Sequence, residues 1–189
     1  MFIANCMKNS FSERRSIYPA QFSEKEVTKK EIATLLEAAN WAPTHRKTEP
    51  WRFKVMQGAK KQALGEFMAE AYVSTAKKPS QIKKQKIVEK VNQSGAVILI
   101  GMQRDPKDTV PEWEEIAATA MAVQNLWLQA TEMGLGGYWS SPSYSDQMVH
   151  FVPFNRGEIC LGIFYLGHFE GPPPQRMPNP WQDKVEWYR

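Results

Sequence analysis

Two groups of polar residues in this sequence could do chemistry with a bound molecule. Arg14, Arg15 and Ser16 place two guanidinium groups and a hydroxyl in succession. Guanidinium groups bind phosphate oxygens in pairs, so this donor set suits a phosphate monoester. Adjacent arginines are more often solvated surface residues. The phosphate interpretation therefore needs further donors from elsewhere in the chain.

The second group lies in a loop that Pro43 and Pro50 enclose. Its polar and charged residues are His45, Arg46, Lys47, Thr48 and Glu49. Because proline restricts its own backbone and that of the preceding residue, we expect these side chains to point in fixed directions. A rigid polar loop on a scaffold is a candidate site. His45 taken alone is more often a hydrogen-bonding surface residue than a catalyst.

Side chains alone offer few routes to catalysis in this chain. The sequence has no Walker loop, no HExxH and no GxSxG, and its 3 histidines are too scattered for a metal site. Cys6 and Cys160 are far apart without a CxxC, so neither a disulfide framework nor a thiolate metal site is expected. Cys160, in an apolar segment, is interpreted as an inert thiol. If the protein is an enzyme, we expect a cofactor to supply the reactive atoms.

Composition indicates one folded domain without a membrane segment. The chain has 189 residues, of which 42% are hydrophobic, and a net charge of +4, a mildly basic balance that suits anionic partners. No stretch of about 18 uncharged apolar residues and no signal peptide occurs, so we expect a cytoplasmic protein without membrane contact. The lysine-rich segment 79–95 has no aromatic residue, which indicates a solvated helix face and no nucleic-acid partner.

Local patterns predict the elements that position the polar groups. Thr28 and Glu31 form a capping box for a helix that should end near Trp41. Alternation then predicts a half-buried strand from Trp51, with Trp51, Phe53 and Val55 on its inner side and Gly58 at its end. Residues 60–93 are predicted to form two helices that separate around Pro79, and the apolar run 96–100 a strand covered on both faces.

The second half of the chain is predicted to contain one long helix and one further core strand. The helix runs from about Glu112 to Met133 with apolar residues nearly all around, so we expect burial on every side, under helices of its own subunit or in a subunit interface. The glycines of 134–137 are interpreted as caps that could also let a flat ligand approach the backbone. A short helix toward Phe151 and a strand over 159–166 follow. The proline-rich tail from Gly171 precludes regular structure and carries aromatic residues that suit a neighbouring subunit.

Together these pieces resemble a known family. Arg14-Arg15-Ser16, Ala42-Pro43 with Pro50-Trp51-Arg52-Phe53, Gly134-Leu135-Gly136-Gly137 and Leu166-Gly167 occur in the order and spacing of the FMN-dependent nitroreductases. The match covers nearly the whole chain. The loop 42–45 and the segment 136–139 are most similar to the small single-domain bacterial NAD(P)H nitroreductases.

The resemblance implies a fold, an assembly and an activity. The fold is α+β, with a central, mostly antiparallel sheet flanked by helices and a long helix at a dimer interface. Residues 1–170 would form the FMN-binding domain, and residues 171–189 an arm that packs on the partner subunit of a homodimer. FMN would take hydride from NADH or NADPH at flavin N5 and pass it, in a ping-pong cycle, to a small-molecule acceptor. That acceptor would be a nitroaromatic, a quinone or a similar flat electrophile.

The resemblance also assigns roles to particular residues, with no catalytic side chain among them. Arg14, Arg15, Ser16 and the late basic residue Arg176 correspond to contacts with the flavin phosphate and ribityl chain. Trp41 and His45 correspond to positions that approach the flavin from the helix–loop junction. Trp139, Ser140 and Ser141 correspond to the segment along the isoalloxazine edge.

Three positions depart from the family pattern, and three alternatives remain open. Tyr18 replaces a basic residue, and Lys47 and Glu49 replace Asn and Gln. We hypothesise that Lys47 or His45 lies near flavin N1 and C2=O, where a cation would stabilise the negative charge of the reduced ring. Family relatives that dehalogenate aromatic amino acids or fragment reduced FMN are alternatives. A basic binding module without catalysis is the alternative from another class.

Overall fold

The predicted helices are present in the computed structural model, which describes residues 10–189. They are α1 (Lys29–Asn40), α2 (Gly58–Thr75), α3 (Gln81–Gln93) and α4 (Glu112–Glu132). The capping box of α1 is confirmed, since the Thr28 side chain accepts from the Glu31 backbone and the Glu31 carboxylate accepts from Thr28 N. Trp41 is the C-cap, as predicted. Cys6 lies outside the described residues.

Four strands form one sheet between two layers of helices. They are β1 (Trp51–Met56), β2 (Ala96–Gln103), β3 (Leu135–Ser140) and β4 (Glu158–His168), in the order β1-β2-β4-β3 with every neighbouring pair antiparallel. Ile98 of β2 packs in one core cluster with residues of α1 and α4, and Val97 packs in the other with residues of α2 and α3. The run 96–100 is thus buried on both faces, as predicted, and the α+β fold class is confirmed.

Four short turns of 3-10 helix connect the elements in the described part of the chain, at Pro19–Gln21, His45–Lys47, Ser145–His150 and Trp181–Lys184. Among residues 10–189 no helix combines the length and the apolar content that crossing a membrane requires.

The interpretation of the glycines after α4 is partly wrong. Gly134, with φ of 69°, follows the helix, but Gly136 and Gly137 belong to β3. A Cβ on Gly137 would overlap the Phe164 ring, and one on Gly136 would lie 2.8 Å from Ile17 Cβ. Side chains of this chain therefore fill the space beside both glycines.

Two burial predictions also need correction. Val55 is 36% exposed, whereas Met56, at 4%, is buried in the core cluster on the other face of the sheet. The chain covers one face of α4, which includes Ala118, Ala122 and Leu126, but Trp113 is 67% exposed and Ile116 and Met121 are also exposed. Residues 10–189 thus leave α4 with an open apolar face, and the prediction that helices of the same subunit bury it on every side is wrong for the described part of the chain.

Candidate functional site

The segment that carries Arg14, Arg15 and Ser16 is attached to the edge of the sheet. Ser16 forms a parallel bridge with Gly137 of β3, and the Ile17 backbone donates to Gly137 O at 3.0 Å. Because Gly136 has no side chain, Ile17 of this segment can pack closely against the strand. The two arginines consequently lie beside the edge strand of the sheet.

Contacts on either side hold the two arginines in place. The Arg14 guanidinium lies over the Trp127 ring of α4, 4.5 Å from its centroid, a cation–π arrangement. Arg15 Nε donates to Pro174 O at 2.7 Å, and its Nη1 donates to Ser12 O at 2.6 Å. The first of these two hydrogen bonds joins the N-terminal segment to the tail that carries Arg176.

The three arginines form a cluster of positive charge. The pKa of Arg14 is lowered, first by partial burial and then by the positive charges of Arg176 and Arg15. Like charges within electrostatic reach destabilise one another, and a bound anion with two charges offsets that repulsion. The structure thus brings together residues from both ends of the sequence, and their donors fit a phosphate group.

Trp139, Ser140 and Ser141 lie at the end of the strand to which Ser16 is bridged. Trp139 packs partly buried against the core, and its Nε1 is buried without a hydrogen-bond partner among residues 10–189. A Cβ on Gly162 would lie 2.5 Å from this nitrogen, so the indole N–H faces the backbone of β4. Ser140 ends β3 opposite Ile163, and Ser141 is exposed just beyond it.

Trp41 and His45 occupy a second region. Trp41 is 79% exposed, and its Nε1 donates to Glu37 Oε1 at 3.1 Å. His45 Nδ1 lies 2.6 Å from Glu114 Oε2, with the histidine side chain 58% exposed. Within the described residues, no hydrogen bond, ion pair or ring contact joins either of them to Trp139 or to the arginine cluster. One chain therefore presents the predicted site residues as two separate groups.

The loop that carries His45 has an unusual backbone. Arg46, Lys47 and Glu49 have φ values of 53°, 56° and 44°, a left-handed region that residues other than glycine seldom adopt. The Thr44 and Thr48 hydroxyl groups share a hydrogen bond of 3.1 Å across the loop. Such backbone conformations persist where the surrounding structure holds them, and they occur frequently at binding sites.

Sequence reasoning missed two residues of these regions. Nothing in the sequence marked Trp127, because its contact with Arg14 depends on the tertiary fold. Glu114 and Glu115 lie in the first turn of α4, where carboxylates interact favourably with the helix dipole. Glu114 contacts His45, whereas Glu115 is 1% exposed and pairs with Arg104. The helical position of the two carboxylates was a signal, but it did not identify their partners.

Two further expectations about reactive groups can be compared with the structure. Burial raises the pKa of the Cys160 thiol to about 11, in agreement with an inert thiol. Within residues 10–189, no group of three or more His, Cys, Asp or Glu side chains could hold a metal ion.

Comparisons with known proteins agree with this fold. The Nitroreductase family model matches residues 11–168. A Bacillus subtilis (strain 168) protein named "Putative NAD(P)H nitroreductase YfhC" is 29% identical over 185 residues, which cover 94% of this chain and 92% of that protein. The structure of a nitroreductase-like family protein from Bacillus cereus has a TM-score of 0.82 at 28% identity, covering 96% of this chain and 95% of that one.

A nitroreductase with bound FMN from Desulfitobacterium hafniense DCB-2 has the same fold. Its TM-score is 0.72 at 18% identity, and the alignment covers 98% of this chain and 99% of that one. The family match extends from the arginine cluster to the end of β4, and so includes both groups of predicted site residues apart from Arg176. The chain therefore belongs to the nitroreductase family and is an oxidoreductase enzyme with the α+β fold of that family.

Proposed function

We propose that this chain is an FMN-dependent oxidoreductase that takes hydride from NADH or NADPH and reduces a flat electrophile, such as a nitroaromatic or a quinone, in a ping-pong cycle. The observation that carries the proposal is that the positive charges of Arg176 and Arg15 both act on Arg14 in a chain of this family, an arrangement that a bound dianion would stabilise. The name of the Bacillus subtilis relative and the FMN in the Desulfitobacterium structure support it.

The residues of the first group fit FMN by the chemistry of their donors. Arg14, Arg15 and Arg176 would bind the phosphate, and the Ser16 hydroxyl would bind a neighbouring oxygen. The segment from Trp139 to Ser141 would lie along the edge of the ring system. When bound, FMN supplies the ring that accepts hydride and passes it on; the protein binds it, orients it and excludes water.

We further propose that the second group reaches the flavin from the partner subunit of a homodimer. Within residues 10–189 no hydrogen bond, ion pair or ring contact joins Trp41 or His45 to the first group, and the open face of α4 needs a covering. In the segment 171–189 the large apolar side chains Trp181, Trp187 and Tyr188 are all exposed. This arm, attached to a domain of residues 1–170, would pack on the partner. A cytoplasmic location and the lack of a nucleic-acid partner stay predictions from the sequence.

The experiment that tests the proposed function is a visible absorption spectrum of the purified protein, followed by anaerobic addition of NADH or NADPH. We expect the flavin absorption bands to decrease when either nucleotide is added. Flavin that stays oxidised would contradict the nicotinamide half-reaction and favour a dehalogenating or flavin-fragmenting activity. A protein that binds no FMN when FMN is supplied would refute the proposal. The alternative of a basic binding module without catalysis would then be tested.

A further inference from the structure

A small pocket lies between the loop that carries His45 and the first turns of α4. It has a volume of about 240 Å³. Its lining residues are Pro43, Thr44, His45, Trp113, Glu114, Ala117, Ala118 and Met121. The lining is mostly apolar, and the Trp113 indole offers a flat face that is 67% exposed. A planar, apolar ring is the type of ligand that such walls accommodate.

The Thr44 and Glu114 side chains of this pocket already have hydrogen-bond partners. The Thr44 hydroxyl shares a hydrogen bond with Thr48 Oγ1 and accepts from Glu49 N at 3.3 Å. Glu114 Oε2 lies 2.6 Å from His45 Nδ1. An ionised carboxylate can only accept, so the hydrogen between them belongs to Nδ1. Nε2 is therefore the ring nitrogen of His45 left for a ligand, and it carries a hydrogen that it can give when the ring is an imidazolium.

We propose that the pocket binds the planar electron acceptor, that His45 protonates an oxygen of this acceptor through Nε2, and that Glu114 is the positioning residue for His45. This inference rests on the proposed function and names the group that completes its second half-reaction. A carboxylate on Nδ1 fixes the orientation of the ring and stabilises the imidazolium, as it does in other histidine–carboxylate pairs. The left-handed backbone at Arg46 and Lys47 indicates that the surrounding structure holds the histidine loop in one shape.

The proton and electron balance of the step is complete. The two electrons arrive as the hydride that the cofactor of the proposed function delivers, and they leave negative charge on a quinone or nitro oxygen. The Nε2–H bond of the imidazolium breaks while an O–H bond forms on the acceptor. His45 returns to the neutral form with hydrogen on Nδ1, Glu114 stays ionised, and water restores the Nε2 proton before the next turnover.

The first test measures whether Glu114 orients the His45 ring, and it does not depend on enzyme activity. In ¹⁵N NMR spectra of the flavin-loaded protein, the neutral His45 ring should carry its hydrogen on Nδ1 in the natural sequence. In Glu114→Ala this preference should be lost, whereas Glu114→Gln keeps an acceptor and should retain much of it. Glu112→Gln is the matched control, because Glu112 is an exposed carboxylate in the same turn and its removal changes the net charge equally. A tautomer that is identical in Glu114→Ala would overturn the positioning role.

The second test compares an acceptor that needs a proton with one that does not. We expect the ratio of kcat/KM for a quinone to kcat/KM for ferricyanide to fall about tenfold in Glu114→Ala, the lower end of the effect of losing an orienting partner. The ratio should fall at least as far in His45→Ala, and adding Glu114→Ala to that variant should lower it no further, because Glu114 acts through His45. Glu112→Gln should leave both rates unchanged.

Three outcomes distinguish a failure of proton donation by His45, a purely structural role of the pair and a failure of the proposed function. An unchanged ratio with a changed tautomer would overturn proton donation while the positioning role stands. A parallel loss of both rates, together with a weaker dimer, would mean that the pair serves only as a subunit contact. A natural-sequence protein that fails to reduce ferricyanide with either nicotinamide nucleotide would refute the proposed function itself, while the NMR result would still report on Glu114.

Discussion

At the scale of single residues, Arg176 is the member of the arginine cluster that best tests the phosphate site. It lies in an exposed tail, so its removal should leave the fold intact, and it contributes a charge that affects Arg14. A charge-assisted hydrogen bond contributes about 1.5–3 kcal/mol, which corresponds to about a tenfold or larger change in affinity. We therefore expect Arg176→Ala to raise the Kd for FMN by at least about tenfold, measured by the quenching of flavin fluorescence.

Arg189→Ala is the control for this measurement. Arg189 is exposed in the same tail, so its substitution changes the net charge by the same amount. A general electrostatic attraction would make the two variants equal, whereas a phosphate contact makes Arg176→Ala much the weaker binder. Equal affinities in the two variants at physiological ionic strength would exclude Arg176 from the site.

Cys160 gives a prediction about pH at the same scale. Burial raises its pKa to about 11 from an ordinary value of 9.0, so only about one thiol in a thousand is ionised at pH 8. Alkylation of Cys160 by iodoacetamide should be slow at pH 8 and accelerate about tenfold per pH unit up to that pKa. Peptide mass spectrometry measures Cys160 separately from Cys6. Equal rates in the folded and the denaturant-unfolded protein would contradict the effect of burial.

At the scale of the elements, the capping box of α1 connects stability to pH. The pKa of Glu31 is lowered from 4.5, first by the backbone hydrogen bond from Thr28. A carboxylate with a depressed pKa stabilises the folded state above its unfolded pKa, and this stabilisation is lost as pH falls through the folded pKa. Glu31→Gln should therefore lower the free energy of unfolding at neutral pH, and the difference should shrink below about pH 4.5.

Thr28→Ala and Glu26→Gln complete this experiment. Loss of the N-cap side chain should lower the free energy of unfolding by about 1 kcal/mol, measured by urea denaturation. Glu26 is an exposed carboxylate just before α1 and is the charge-matched control. A pH dependence that is the same in Glu31→Gln and Glu26→Gln would show that the capping box does not cause it.

The elements also show how far local sequence information extends. The box at Thr28 and Glu31, the break at Pro79 and the apolar run 96–100 depend on neighbours within a few positions, and the structure confirms them. The place of Gly137 could not be derived in this way, because the Phe164 ring beside it comes from another strand and depends on the sheet order. Short glycine-rich strands resemble loops in any local pattern.

The same limit applies to the candidate site. The residue types and the family resemblance indicated Arg14, Arg15 and Arg176, and the structure brings these three together. The contact between His45 and Glu114 joins positions that are 69 residues apart. No periodicity encodes such a pair, so the partner of the histidine could be found only after the fold placed the loop against the first turn of α4.

At the scale of the whole molecule, the arm 171–189 tests the proposed assembly. Its aromatic side chains are exposed in one chain, and it is attached to the domain by the hydrogen bond from Arg15 Nε to Pro174 O. A chain that ends at Glu170 should therefore fold, with an unchanged far-ultraviolet circular dichroism spectrum. We expect this chain to dissociate into monomers at micromolar concentration, measured by light scattering, because the apolar surface that the arm would cover on the partner is lost.

Substitution within the arm separates the two roles that we assign to it. Trp181→Ala with Trp187→Ala keeps Arg176, so it should weaken the dimer and should weaken FMN binding only as far as the dimer dissociates. Arg176→Ala should show the reverse, with a weak flavin site in a stable dimer. If both groups of site residues are needed, shortening the chain should reduce FMN affinity more than Arg176→Ala does. A shortened chain that remains a dimer and binds FMN as tightly as Arg176→Ala would mean that the arm contributes the arginine alone, and that α4 and the loop form the interface without it.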